Sequence, residues 1–272
     1  MKVSGRTAVI TGAAGGIGRG IALALAKRGC DLALCDLNEE GLAETARLCG
    51  NGVKVTRHRI DVADKDAIAD LPEKVLAEHG AVHLLFNNAG VAIGGNFEEV
   101  AEEDFEWLMN INFWGVVRMT RAFLPQLRAA GEGRIVNISS IFGIVAPPGQ
   151  TAYSASKFAV RAFSESLRNE LAAEGSAVGV TVVHPGGVAT SIARSARPAR
   201  LATPERLRQA EADKVRFQAF LKMPPEQAGE IIVVGVEKGR PRVVVGNDAK
   251  FMALAERLAP VSYWKFLGRR LK

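Results

Sequence analysis

The sequence predicts a doubly wound α/β fold, a parallel sheet of about seven strands flanked by helices. Two observations predict it. Short continuous apolar runs alternate with helical segments, as strands buried on both faces require, and a glycine-rich turn directly follows the first run. Right-handed crossovers then place helices on either side of the sheet.

The elements follow in order. Thr7-Ala8-Val9-Ile10 is a short apolar strand, and Gly16 to Lys27 an apolar-rich helix ending near Gly29. Asp31 to Cys35 reads as strand two, Glu39 to Leu48 as a helix, and Val53-Lys54-Val55-Thr56 as an alternating third strand. A helix from Lys65 to His79 leads to strand four, Val82 to Phe86. One longer helix, from about Glu102 to Ala129, precedes strand five, Arg134 to Ile138. A helix from about Ala152 to Ala173 leads into strand Val178 to Val183. A polar segment runs to Met223, followed by helix Pro225 to Lys238, strand Val243-Val244-Val245 and a helix from about Ala249. No linker divides the chain, so residues 1–272 read as one domain, with a substrate flap near 190–222 and a basic, aromatic tail over 251–272.

Composition narrows the function. Of 272 residues, 48% are hydrophobic and 24% charged, as in ordinary globular proteins. No apolar run reaches the ~18–20 residues that span a bilayer, and the N-terminus lacks a signal peptide's apolar stretch, so the cytoplasm is the expected compartment. The net charge is +6, yet no Lys/Arg run with interleaved aromatics marks a nucleic-acid surface. Cys30, Cys35 and Cys49 form no metal-ligand spacing with the four histidines and read as buried thiols, so no metal is expected.

The turn Thr11-Gly12-Ala13-Ala14-Gly15-Gly16-Ile17-Gly18 opens the first helix. Glycines allow close approach, and the helix N-terminus offers unpaired N–H groups to a pyrophosphate. The spacing matches neither the GxGxxG fingerprint nor a P-loop, which disfavours an NTPase. Asp36, at the end of strand two, is placed to accept hydrogen bonds from the adenosine ribose and to repel a 2′-phosphate. No Lys or Arg sits inside the turn or directly after Asp36, so NAD(H) is favoured over NADP(H). Asp61-Val62 and Asn87-Asn88-Ala89-Gly90 follow strands three and four, at the carboxyl ends where ligands bind in such sheets.

Tyr153 and Lys157 lie four apart and share a helix face. A free phenol has a pKa near ~10, and a neighbouring ammonium lowers it, the arrangement that a tyrosine acid/base needs. Strand five ends in Asn137-Ile138-Ser139-Ser140, and the Ser140 hydroxyl is placed to hold a substrate oxygen; Ser139 is its rival. Asn112 is a polar group inside an apolar stretch.

With these residues the sequence resembles the short-chain dehydrogenase/reductase family, a Rossmann-type fold. The matching pattern is Thr11-Gly12-x3-Gly16-x-Gly18, Asp61, Asn87-Asn88-Ala89-Gly90, Asn112, Ser140, Tyr153-x3-Lys157 and His184-Pro185-Gly186, in order from about residue 5 to 190. The resemblance implies that Tyr153 exchanges a proton with the substrate oxygen, which Ser140 hydrogen-bonds. It implies that Lys157 depresses the tyrosine pKa and binds the nicotinamide ribose, and that Asn112 positions a water in a proton relay. Asp61 is then expected near the adenine, Asn88 and Gly90 on the adenosine side, and Pro185, Gly186, Val188 and Thr190 around the carboxamide.

The expected activity is hydride transfer between NAD(H) and an alcohol or carbonyl, with an NADP(H)-dependent carbonyl reductase as the alternative. A serine hydrolase built on Ser140, His184 and Asp61 lacks a GxSxG elbow, and the full Asn-Ser-Tyr-Lys set argues against a catalytically silent regulator. Ile93, Ile141, Phe142, Ile144, Val145, Phe217 and Phe220 suggest an apolar pocket for a hydrophobic substrate, while Arg194, Arg197 and Arg200 are candidates for a carboxylate or phosphate. Tyr263, Trp264, Phe266 and Leu267 beside Lys265, Arg269, Arg270 and Lys272 offer contact with an anionic membrane, a neighbouring subunit or the substrate. The family resemblance implies a homodimer or homotetramer built on the helices at 102–129 and 152–173.

Overall fold

A computed structural model describes residues 1–270, with the side chains of Arg216, Phe217, Phe266, Arg269 and Arg270 outside that description. The sequence expectations placed on Phe217, Phe266, Arg269, Arg270 and Lys272 therefore lie outside the described residues.

Seven parallel strands form one sheet: β1 (Thr7–Thr11), β2 (Asp31–Asp36), β3 (Val55–Arg59), β4 (Leu84–Asn87), β6 (Gly133–Ile138), β7 (Val178–Pro185) and β9 (Arg242–Val245). Their order is β3-β2-β1-β4-β6-β7-β9. The order reverses between β1 and β4, which opens a crevice at the carboxyl edge. A second, two-stranded sheet pairs β5 (Ile93–Gly94) with β8 (Arg197–Pro198) in parallel.

Alternation along the strands builds the core on both sides. Ile10, Leu34, Phe86 and Val136 face one side, where α1 (Gly16–Ala26), α2 (Glu39–Cys49) and α8 (Pro225–Glu237) supply Ile21, Leu25, Leu42 and Ile232. Their neighbours Val9, Ala33, Leu85 and Ile135 face the other. There they meet Leu71 of α3 (Lys65–His79), Met119 and Phe123 of α5 (Gly115–Ala129), and Leu171 of α6 (Thr151–Ala173). Each fully buried Val, Leu, Ile, Phe or Met side chain among them stabilises the fold by about 1.5–3 kcal/mol. Gly20 and Gly229 let α1 and α8 meet backbone to backbone, since a Cβ on either would overlap the other helix.

Three elements differ from the sequence reading. The third strand runs from Val55 to Arg59, with Thr56 and His58 buried and Arg57 and Arg59 exposed; its charged outward face hides it from an apolar search. The helix expected from 102 to 129 is α4 (Glu102–Met109), a five-residue π segment (Asn110–Trp114) and then α5. The polar segment after 190 holds β8 and α7 (Pro204–Phe220), whose first turn Thr203 caps by accepting from Arg206 N–H at 3.3 Å. The C-terminus forms α9 (Asn247–Leu258) and α10 (Tyr263–Arg270), separated around Pro260. Among the described residues, no helix is long and apolar enough to cross a membrane.

Candidate active site

The carboxyl edge of the sheet collects the residues singled out in the sequence. Gly12 and Gly16 adopt left-handed φ values of 66° and 52°. Gly12 also lies so close to Asn88 that an added Cβ would stand 2.7 Å from its Nδ2. A Cβ on Gly15 would meet nothing within 4 Å. Gly15 precedes α1 and makes no side-chain cap, so no capping side chain of its own occupies the start of α1, where the helix dipole favours an anion.

Thr11 turns inward. Its hydroxyl accepts from Asn88 N–H and Ala89 N–H, both at 3.0 Å, and donates to Phe86 O at 3.4 Å. Asn88 Nδ2 donates to Thr11 O and Gly12 O at 3.0 and 3.1 Å, locking the glycine turn to the end of β4. Asp36 closes the other flank, accepting from Ala14 N–H and Asn38 N–H at 3.0 Å each. Asp61 accepts from Ala63 N–H at 2.8 Å, which turns the chain after β3 and leaves Val62 buried beneath Gly115 of α5.

The chemical cluster stands beside this cleft. Tyr153 and Lys157 lie on α6, with the Lys157 Nζ 5.6 Å from the Tyr153 ring centroid. The ammonium donates to Ile138 O at 3.2 Å. Ser140 hydrogen-bonds the phenol and accepts from Phe142 N–H at 3.1 Å. Ser139 points elsewhere: its hydroxyl donates to Lys157 O at 2.8 Å, buried under Gly143. Asn112 sits in the π segment, a common setting for functional groups. It accepts from Val91 N–H at 2.8 Å and donates to Val91 O and Ser156 Oγ at 3.0 and 3.1 Å. Both its N–H donors are used, and one Oδ1 lone pair remains. Gly90 fills the gap between these groups, where a Cβ would lie 3.2 Å from Asn112 Oδ1 and 3.4 Å from Lys157 Nζ.

Burial dominates the electrostatics. It pushes the Tyr153 phenol up to about 12, against the Ser140 hydrogen bond, and pulls the Lys157 ammonium down to about 8. In the protein alone, then, Lys157 does not lower the phenol below its ordinary value: the ammonium faces the ring and the Ile138 carbonyl, and its own charge is disfavoured. His184 falls to about 4 through burial; its Nδ1 meets Ser140 O at 2.9 Å. This contact is with the main chain of Ser140, so the Ser-His pairing of a hydrolase is not formed.

The pattern at this edge is matched by a model of the short chain dehydrogenase family over residues 6–201. The chain is a short-chain dehydrogenase/reductase. SadH of Mycobacterium tuberculosis, an oxidoreductase by name, is 44% identical over 270 residues, covering 97% of this chain and 94% of that protein. The crystal structure of a short-chain dehydrogenase/reductase from Burkholderia phymatum in complex with NAD superposes with a TM-score of 0.85 at 31% identity, covering 95% of each chain. An alcohol dehydrogenase from Thermococcus sibiricus, complexed with 5-hydroxy-NADP, gives a TM-score of 0.73 at 28% identity over 88% of this chain and 95% of that one.

Beyond the pattern, this dehydrogenase places residues that the sequence reading missed. Arg19, one position past Gly18, donates to Ala14 O at 2.5 Å and Thr45 Oγ1 at 2.9 Å, which puts a guanidinium near the Asp36 flank. Asp104 is buried and pairs with Arg200 at 2.5 Å and Arg197 at 3.4 Å, while Arg197 stacks 3.4 Å over the Trp107 ring. Two of the three arginines proposed for an anionic substrate are thus committed to the protein. Ile93, Ile141, Ile144 and Val145 pack into local core rather than lining open space. Phe142 meets the Tyr153 ring edge-on at 6.1 Å, and Phe220 is exposed.

Proposed function

We propose that this protein is an NAD(H)-dependent oxidoreductase that interconverts an alcohol and a carbonyl on a hydrophobic substrate, with Tyr153 as the general acid/base. One observation carries the reading: half-buried Tyr153 and Ser140 and buried Lys157 are gathered at the sheet edge that also bears the uncapped N-terminus of α1 and Asp36. NAD, when bound, supplies or accepts the hydride.

In reduction, the Tyr153 phenol gives its proton to the substrate oxygen, and in oxidation the phenolate takes it. Ser140 donates to that oxygen and stabilises the charge developing there. Lys157 holds the nicotinamide ribose and favours the phenolate. Asn112, through its remaining Oδ1 lone pair, orients a water that relays the proton outward. Gly12, Gly16, Ile17 and Gly18 hold the pyrophosphate, with Thr11 behind them. Asp61, Val62, Asn88, Ala89 and Gly90 flank the adenosine, and Pro185, Gly186, Val188 and Thr190 the carboxamide. NAD is preferred because the Asp36 carboxylate meets the ribose and repels a 2′-phosphate. Residues 190–222 form the substrate flap of a single catalytic domain.

Two further readings concern partners. The exposed Trp114 and Phe158 favour a homodimer or homotetramer through the helices at 102–129 and 152–173. The exposed Leu254, Leu258 and Val261 favour peripheral contact with an anionic membrane; failure to co-sediment with anionic vesicles overturns it. The compartment suited to three unpaired cysteines is the reducing cytoplasm.

Parallel titration with NADH and NADPH, followed by protein fluorescence, tests the central reading. NADH should bind at least about tenfold more tightly, a 1.4 kcal/mol preference, and Asp36→Ala should relax it. Equal or tighter NADPH binding, with Arg19 as the cation at hand, would replace NAD by NADP and point to a carbonyl reductase. No binding of either would remove the enzyme reading.

A further inference from the structure

The Pro185–Thr190 loop faces the glycine turn, with Thr190 Cγ2 3.2 Å from where a Gly16 Cβ would stand. The loop is tied mostly to main chain. Gly186 N–H donates to Val245 O at 2.9 Å and Ala189 N–H to Met223 O at 2.8 Å, while Gly187 O accepts from Met223 N–H at 3.2 Å. Gly187 N–H is different, because it donates to the Asp248 carboxylate at 2.6 Å. The two glycines are shaped around that group: a Cβ on Gly186 would overlap both carboxylate oxygens, and one on Gly187 would stand 3.3 Å from Oδ2.

Asp248 lies in the first turn of α9, where an acid ordinarily serves its own helix dipole. Here it also reaches across to the loop. The same helical unit touches the opposite wall of the site. Ala249 packs with Ile141, Ile144 and Val145, and Tyr263 joins that cluster. The Tyr263 hydroxyl accepts from Ala146 N–H at 2.9 Å. Both contacts come from residues beyond the 6–201 stretch matched by the family model.

We propose that Asp248 is a positioning residue that sets the Pro185–Thr190 loop for the cofactor, and that α9 and α10 join this loop to the 141–150 loop through Asp248 and Tyr263. The inference rests on the reading of Pro185–Thr190 as the carboxamide loop. A hydrogen bond to a charged acceptor is strong and directional, so its removal frees the one loop amide that main chain does not fix.

The 272-residue chain carrying Asp248→Ala, Asp248→Asn or Tyr263→Phe tests it, with NADH Kd from fluorescence, substrate KM and Tm measured for each. Asp248→Ala should raise the NADH Kd about tenfold. Asp248→Asn, whose amide oxygen still accepts, should raise it about threefold. Tyr263→Phe should leave the NADH Kd within about twofold and raise the substrate KM. A lowered Tm with an unmoved NADH Kd in Asp248→Ala would make Asp248 a helix-end acid only and overturn the proposal. If Asp248→Ala does not fold, a wild-type Kd in Asp248→Asn overturns it equally. Failure of the unmodified protein to bind NADH would instead strike the carboxamide-loop reading beneath it.

Discussion

The Lys157 ammonium faces the Tyr153 ring at 5.6 Å from its centroid and donates a hydrogen bond to the Ile138 carbonyl, in a site buried enough to bring phenol and ammonium to about 12 and about 8. Oxidation needs the phenolate and reduction the phenol. The kcat/KM for alcohol oxidation should therefore climb with pH through the alkaline range, and that for carbonyl reduction should stay level until the phenol itself begins to lose its proton. Tyr153→Phe should remove about 10²–10⁴-fold of activity in both directions. A flat oxidation profile would remove Tyr153 as the base.

Ser139 and Ser140 are neighbours with opposite commitments. Ser140→Ala should cost about 10²–10³-fold in kcat with little change in Tm, as the loss of an oxyanion donor does. Ser139→Ala removes the hydrogen bond to Lys157 O and should cost about 1 kcal/mol of stability with a smaller loss of activity. The reverse pattern, read by kinetics and thermal melts, would exchange their roles.

His184 makes stability depend on acid. Burial holds its folded-state pKa at about 4, below the unfolded value near ~6.5. Its stabilisation is complete above pH ~6.5 and is lost as pH falls toward 4, because the unfolded chain takes up the proton first. The loss amounts to about 3 kcal/mol. His58, His79 and His83 shift in the same direction through burial and add to it. Urea denaturation across this range should show the slope, and His184→Gln should flatten it; an unchanged slope would place the effect elsewhere.

Asp104 holds the start of the 190–222 segment. Its pairs with Arg197 and Arg200 pin β8 against β5, and Ala199 packs over Gly95. Asp104→Ala should raise substrate KM several-fold, roughly the 1–2 kcal/mol of a broken charged contact, and leave NADH binding unchanged. Trypsin should then cut faster between Arg194 and Arg208. Unaltered proteolysis and KM would mean that backbone pairing alone secures the segment.

The legible part of this protein was its local chemistry. Apolar runs located the strands of the sheet other than β3, and the order of the polar motifs placed them at a single edge. What escaped depended on partners distant in sequence. Arg197 and Arg200 look like free cations until Asp104, on α4, is brought to them. The apolar residues assigned to the pocket gave no sign that α9 and α10 would cover several of them. Helix α7 has no buried residue among those described, so its sequence carries no amphipathic stripe to reveal it. The π segment left one trace, Asn112 amid apolar neighbours, which does not specify an extra residue in a turn.

That extra residue sets a phase. In an unbroken α-helix Leu108 and Met119 would be separated by about three full turns and point almost the same way. They are buried in different places: Leu108 with Ile93 and Ala152 beside Tyr153, and Met119 with Phe123 in the main core. The segment at Asn110–Trp114 rotates one length of the rod against the other, so a continuous helical path serves the catalytic side first and the hydrophobic interior next. Removing a single residue there would swing the two lengths by about 100°, and no choice of side chains on either length could point both of them home.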